Sequence, residues 1–251
     1  MPVGWALVGE GTMKKLLVCL LAFTCLASAC GGQAAQGAEQ GPAAEPVAAS
    51  PGPPQPIDLG PVVYGTAPDN PYSADQIERG RALVVFGGCN DCHTPWTYDP
   101  ELGGPAPMMD RMLSGHPHNA PDPYGTPDPR DTAVIGPTFT SFAFPFGVTY
   151  TLNLTPDIDT GTGSWTEEMF LNIFRHARHL GGEGRTIMPP MPWPNVASLP
   201  DEDIIAIFAY LRSIPPVRNA VPPSRVPEEV MDGMLKANEI ILAQMQEQAQ
   251  H

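Results

Sequence analysis

Apolar residues recur at helical spacing in four separate stretches of the chain. In the first, Ser73-Ala-Asp-Gln offers a helix start, Ile77, Gly80, Leu83 and Val84 share one face, and Gly87-Gly88 stop the run. The second covers about 166–179: Ser164-Trp-Thr-Glu167 reads as a capping box, and Phe170, Ile173, Phe174 and Ala177 form the stripe. The third covers about 200–213. Pro200 suits its first turn, Asp201, Glu202 and Asp203 complement the helix dipole, and Pro215-Pro216 end it. Its core face is Ile204, Ile207, Phe208 and Leu211. A last amphipathic helix is predicted over about 227–248, along Val230, Met234, Ala237, Ile241 and Met245. Period-two alternation is scarce. The stretch from Thr94 to Tyr150 is Pro/Gly-rich, too long for an ordinary loop and too aperiodic for strands, so a packed, irregular insertion is expected there. The predicted class is mainly α.

The amino terminus follows other rules. Lys14-Lys15, an apolar run from Leu16 to Leu26, and Ala27-Ser28-Ala29-Cys30 are the three parts of a secretory signal. The run is too short to span a bilayer comfortably. A cysteine directly after small residues has the form of a bacterial lipoprotein signal, in which Cys30 is acylated and becomes the first mature residue. Ordinary cleavage near Ala29 is the competing reading. Met1 to Thr12 add nothing a signal needs, so Met13 is read as the true start. From Gly31 to Pro56 the chain is mostly Ala, Gln, Gly, Pro and Glu and has too little apolar surface to bury a core. As a flexible coil this tether spans about 30 Å, and fully extended about 80 Å. The organisation expected is a signal over 1–29, a lipid-anchored disordered linker over 30–66, a folded domain over 67–225 and a terminal helix over 226–251.

Composition narrows the function. The 32 Pro and 25 Gly fall in blocks that mark linkers and loops. A net charge of −14 with three Lys excludes nucleic acid as a natural partner, since phosphate binding needs clustered cations. Cleavage before Cys30 removes Lys14, Lys15 and Glu10, leaving the mature chain one unit more acidic. Cys19 and Cys25 leave with the signal, so beyond the lipid-bearing Cys30 only Cys89 and Cys92 remain, and no wider disulfide framework can form.

Those two lie in Cys89-Asn90-Asp91-Cys92-His93. Cys-x-x-Cys-His is the spacing that covalent haem attachment requires: two thiols add to the two vinyl groups, and the next residue points an imidazole at the iron. A thioredoxin-like motif would sit in a βαβ context, and a zinc site would need two further ligands at matching spacing; neither is present. Export agrees, because this attachment takes place outside the cytoplasm. The sixth ligand decides the chemistry, a Met or second His suiting electron transfer and an open position suiting gases or peroxide. Candidates are His116, His118, His176, His179, Met188 and Met191. Ile187-Met188-Pro189-Pro190-Met191-Pro192-Trp193 is a proline-stiffened segment that presents a thioether between two helices.

On these residues the chain from about Asp75 to Val217 resembles a class I cytochrome c. More narrowly it is similar to bacterial single-haem lipoprotein cytochromes and to cytochrome subunits of membrane alcohol and sugar-acid dehydrogenases. The matching pieces are Cys-Asn-Asp-Cys-His-Thr-Pro at 89–95, Leu-Ser-Gly-His-Pro at 113–117, Asn-Leu-Thr-Pro-Asp at 153–157, Trp165-Thr166, Pro-Pro-Met-Pro-Trp at 189–193, and Asp-Glu-Asp-Ile through Tyr210-Leu211 to Pro216-Val217. The resemblance implies one haem c bound through Cys89 and Cys92, with His93 and Met191 as axial ligands. It also implies that the first helix crosses the last core helix, Gly80 meeting the face around Tyr210-Leu211. Ala177 stands where relatives often have Gly, and the dehydrogenase subunits carry three haem motifs where this chain has one.

The function expected is electron transfer without bond chemistry, between a dehydrogenase donor and an oxidase or another cytochrome, on the periplasmic side of a bacterial membrane. The alternative is the electron-accepting subunit of a dehydrogenase complex. Weaker signals remain. Arg175 and Arg178 are candidates for pairing with haem propionates, against a solvated helix face. His176 and His179 are better read as surface histidines than as a metal pair, and Asp157-x-Asp159-x-Gly161 as a turn rather than a calcium loop. Gly104-Pro105 and Gly136-Pro137 are equal candidates for the carbonyl that accepts the His93 Nδ1 proton, and His116 has no assigned role.

Overall fold

The computed structural model describes residues 55–122 and 132–248. The expected secretion signal, Cys30 and residues 31–54 of the expected linker lie outside the described residues. Helix α1 (Ala74–Phe86) begins where the sequence placed it. Ser73 Oγ accepts from Gln76 N at 3.3 Å and Gln76 Oε1 accepts from Ser73 N at 3.1 Å, the reciprocal capping box. Gly88, in the left-handed region at φ 64°, then turns the chain into a five-residue helix, α2 (Cys89–His93).

The core forms between α1, α3 (Glu167–His176) and α5 (Asp201–Leu211). Val84 from α1, Phe170, Ile173 and Phe174 from α3, and Ile204, Ile207, Phe208 and Leu211 from α5 are all buried there. The Phe170 and Phe208 rings stack 4.9 Å apart. Helices α1 and α5 touch at Gly80, where a Cβ would stand 2.5 Å from the Ala206 carbonyl carbon and 2.9 Å from Tyr210 Cβ. Only a residue without a side chain permits that approach.

Two predicted boundaries shift. Thr166, not Ser164, caps α3, its hydroxyl accepting from Met169 N at 3.1 Å. The helix stops at His176 because Ala177 takes the left-handed conformation at φ 52°, which exposes Ile173 O to Arg178 N at 3.1 Å. A short helix, α4 (Trp193–Ala197), precedes α5, and α6 (Glu228–Gln248) follows it. In α6 the predicted stripe holds except at Ala237, which faces solvent: Val230 and Met234 are half-buried, Ile241 and Met245 pack on the core together with Leu242, and Asn238 is buried beside them.

The 94–150 stretch holds more regular structure than expected. Strands β1 (Trp96–Asp99) and β2 (Gly104–Pro107) pair antiparallel. A second antiparallel sheet joins β3 (Val134–Ile135), β4 (Ser141–Phe144) and β5 (Gly147–Tyr150) in that order. Each strand has four residues or fewer, and Ser141, Phe142 and Ala143 are buried in succession, so no alternation marks them in the sequence. Packing also begins upstream of Ala67. Leu59 is buried, Arg111 Nη2 donates to Gly60 O at 2.6 Å, and Tyr64 bridges Val217, flanked by Gly65 N to Pro216 O at 2.9 Å and Arg218 N to Val63 O at 2.8 Å. Among the described residues no helix is long and apolar enough to cross a membrane.

Candidate functional site

The Cys-x-x-Cys-His segment is α2 itself, packed directly after α1. Cys89 and Cys92 are free thiols, both half-buried. Burial pushes both thiols above their ordinary range, and the Asp91 carboxylate adds to the shift. His93 is only 9% exposed, and its Nδ1 lies 2.8 Å from the Leu152 carbonyl. A carbonyl can only accept, so Nδ1 carries the proton and the lone pair is left on Nε2. Burial lowers the His93 pKa, and the bond to Leu152 opposes that shift without reversing it, so the ring stays neutral. The sequence candidates for this acceptor are both displaced: Gly104-Pro105 lies in β2, and Gly136 N donates to Ser141 O at 2.8 Å at the end of the second sheet.

Two motifs assemble behind His93 to hold Leu152. Thr94 Oγ1 accepts from Leu113 N at 3.0 Å, Gly115 N donates to His93 O at 2.8 Å, and Leu154 N donates to Leu113 O at 2.9 Å. Gly115 sits at φ 72°, where a Cβ would be 2.5 Å from Leu152 O and 2.6 Å from Asn153 N. Two side-chain amides tie this layer to the chain after α5. Asn153 Nδ2 donates to Val217 O at 2.8 Å, and Asn219 Nδ2 donates to Ser114 O at 2.7 Å and His116 O at 2.9 Å. The segments 113–117 and 153–157 are thus the two halves of one backing layer.

His116 belongs to it as a core residue, 1% exposed. Its Nδ1 lies 2.9 Å from Thr140 Oγ1 and its ring 4.7 Å from Tyr150. Burial pushes its pKa down to about 4, with Asp122 opposing. Asp157 is buried and spends its carboxylate on Thr66 N at 3.2 Å, Thr160 N at 2.9 Å and Thr160 Oγ1 at 2.6 Å, which makes the 157–161 segment a turn.

Met188 is buried and Met191 half-buried. Met191 and Cys89 pack against the same cluster, which includes Val84, Leu113, Ile187 and Trp193. Pro189 O accepts from Thr149 Oγ1 at 3.1 Å, fixing the segment between the two methionines. The candidate propionate partners are otherwise engaged. Arg175 donates to Ala197 O at 2.5 Å and Leu199 O at 2.9 Å and pairs with Asp201, while Arg178 Nε donates to Gly184 O at 2.9 Å. His176 is exposed, whereas His179 is half-buried and pushed down to about 3 by burial and by Arg185. Among the described residues no group of three or more His, Cys, Asp and Glu gathers to hold a metal ion.

Two donors that the sequence did not single out stand free for an acceptor. The indole Nε1 of Trp96 is buried and has no hydrogen-bond partner. The guanidinium of Arg185, an exposed residue, bonds to Thr186 O at 3.3 Å and has no ion pair among the described residues. Neither Trp nor Arg carries a pattern that would have marked them beforehand. The donor set fits the group that the motif implies: two free thiols, a neutral imidazole with its Nε2 lone pair available, and a thioether.

This arrangement resembles that of a c-type cytochrome, and the comparisons with known proteins agree at that level. No family model matches the chain. It is similar to cytochrome c subunits of dehydrogenases. It is 28% identical over 170 residues to the gluconate 2-dehydrogenase cytochrome c subunit of Pantoea cypripedii, a match covering 67% of this chain and 30% of that protein. It is 32% identical over 152 residues to the fructose dehydrogenase cytochrome subunit of Gluconobacter japonicus, covering 60% and 24%. The cytochrome c subunit of the alcohol dehydrogenase (quinone) of Gluconobacter oxydans matches at 26% over 162 residues, 64% of this chain and 26% of that protein. The chain therefore spans less than a third of each of these relatives.

Proposed function

We propose that the chain is a single-haem c-type cytochrome that carries one electron at a time between redox proteins. Cys89 and Cys92 would hold the haem through thioethers, and His93 Nε2 and the Met191 sulfur would ligate its iron. When bound, the haem supplies one-electron cycling of the iron. The residues of the chain do the rest. Leu152 O fixes the His93 tautomer and raises the basicity of Nε2, the buried core excludes water, and Trp96 and Arg185 offer donors to the propionates. A thioether is a soft ligand that favours the reduced state and raises the potential. The observation that carries the reading is the buried His93, in the register set by Cys89 and Cys92, with its Nδ1 given to a main-chain carbonyl.

The test is the weak near-infrared sulfur-to-iron band of the oxidised protein. It is expected in the native protein and absent in Met191→Ala; persistence in that variant would move the ligand to Met188. Pigment extracted by acidified acetone would refute covalent attachment altogether.

A second reading, an electron-accepting subunit of a dehydrogenase complex, draws support from the names of the relatives, and co-purification with a flavoprotein or quinoprotein would decide for it. In either case export and acylation at Cys30 would hold the protein to the periplasmic side of a membrane. The acidic chain favours a partner with a basic docking face.

A further inference from the structure

In the 21 residues of α6, the buried residue is an asparagine. Asn238 is 8% exposed, where an amphipathic helix docking on a core would ordinarily place Leu or Ile. A buried amide is costly unless its donors and acceptor are satisfied, and here they are. Asn238 Oδ1 accepts from Trp193 Nε1 at 3.3 Å, and Nδ2 donates to Thr186 Oγ1 at 2.8 Å and to Ile187 O at 3.1 Å. Thr186 and Ile187 immediately precede Met188, and Trp193 follows Met191 by two residues. One side chain therefore grips both ends of the arc that carries the two methionines. All three partners are buried, at 3%, 5% and 4% exposure, so water cannot replace the bonds. The neighbours of Asn238 on the same helix, Ile241, Leu242 and Met245, pack on the core and make no hydrogen bond to the arc.

We propose that Asn238 is a positioning residue that holds the Met188–Met191 arc closed, so that α6 governs how firmly the sulfur ligand stays on the iron. This rests on the reading of Met191 as an axial ligand. Loss of the clamp raises the population in which the sulfur has left the iron, and an external ligand binds that population in proportion to its size.

The experiment titrates free imidazole into the oxidised, haem-loaded protein and follows loss of the near-infrared band. Asn238→Leu keeps the bulk and removes the bonds; imidazole is expected to bind at least about tenfold more tightly than to the native protein. Leu242→Ala, which loosens the packing of α6 but not the clamp, is expected to lower the melting temperature with imidazole affinity changed less than about twofold. The proposal is overturned if folded Asn238→Leu binds imidazole as the native protein does, or if Leu242→Ala tightens binding as much. Should Asn238→Leu not fold, Asn238→Ser gives the same readout with the same criteria. Met191→Ala separates the two claims. A band that survives it defeats the ligand assignment, whereas a band that it abolishes, together with native imidazole affinity in Asn238→Leu, defeats the clamp alone.

Discussion

Replacing Gly80 by Ala tests the helix crossing on which the core is built. The new Cβ would lie 2.5 Å from the Ala206 carbonyl carbon and nearer still to its oxygen, with Tyr210 Cβ at 2.9 Å. Carbon atoms in contact prefer about 3.5–4.0 Å, so α1 and α5 must part by about 1 Å. The obstacle is helical backbone, which cannot rotate aside as a side chain would. Overpacking of this kind costs about 1–3 kcal/mol, while Ala gains about 0.5–1 kcal/mol over Gly in a helix. The net expectation is a loss of about 1 kcal/mol, or about 2–4 °C in melting temperature for a domain of this size. Gly233→Ala is the matched control: it makes the same substitution within α6, where nothing lies within 4 Å of the added methyl. It should raise stability by about 0.5–1 kcal/mol. Thermal melts of both variants, followed by circular dichroism, read the difference. A Gly80→Ala protein that melts at or above the native temperature would refute the argument, whatever the control does.

Two further outcomes follow from the site. Arg175→Ala strips the Ala197 and Leu199 carbonyls of their donor and should cost about 1–2 kcal/mol in a urea titration, with the visible spectrum unchanged. A changed potential at native stability would return Arg175 to the propionates. His116, pushed down to about 4 by burial, stays neutral in the folded protein while the unfolded chain takes up its proton near the ordinary 6.5. Stability is therefore intact above pH 6.5 and falls as the pH drops towards 4, by on the order of 3 kcal/mol from this group. His179, pushed down to about 3, adds slope of the same sign. Urea midpoints at pH 7 and 4.5 should differ less in His116→Asn than in the native protein, and equal differences would exclude His116 as a source.

What the sequence made legible was what repeats or caps. The Ser73 start and the apolar faces of α1, α3 and α5 follow from capping and periodicity, whereas the Gly80 crossing is legible only through the resemblance to class I cytochromes c. The short strands escaped because Ser141 to Ala143 are buried in succession and Pro105 and Pro107 interrupt β2, so pairing there is a matter of backbone rather than of pattern. The acceptor for His93 escaped for a deeper reason: a main-chain carbonyl has no residue type to announce it. Asn238 lies beside the apolar stripe that the sequence marks in α6, and its meaning depends on partners 45 to 52 positions away. Arg175 looked free to meet a ligand because its carbonyl partners are equally anonymous.

The Leu152 oxygen carries one more consequence. Since every amino acid brings the same carbonyl to position 152, no exchange of side chain there can delete the bond to the imidazole; only its length can be adjusted. That adjustment falls to Gly115, whose bare α-carbon is wedged against the same peptide unit. A residue that does no chemistry thus becomes the spacer through which the electronic character of the buried ring can be tuned, in steps as small as a methyl group.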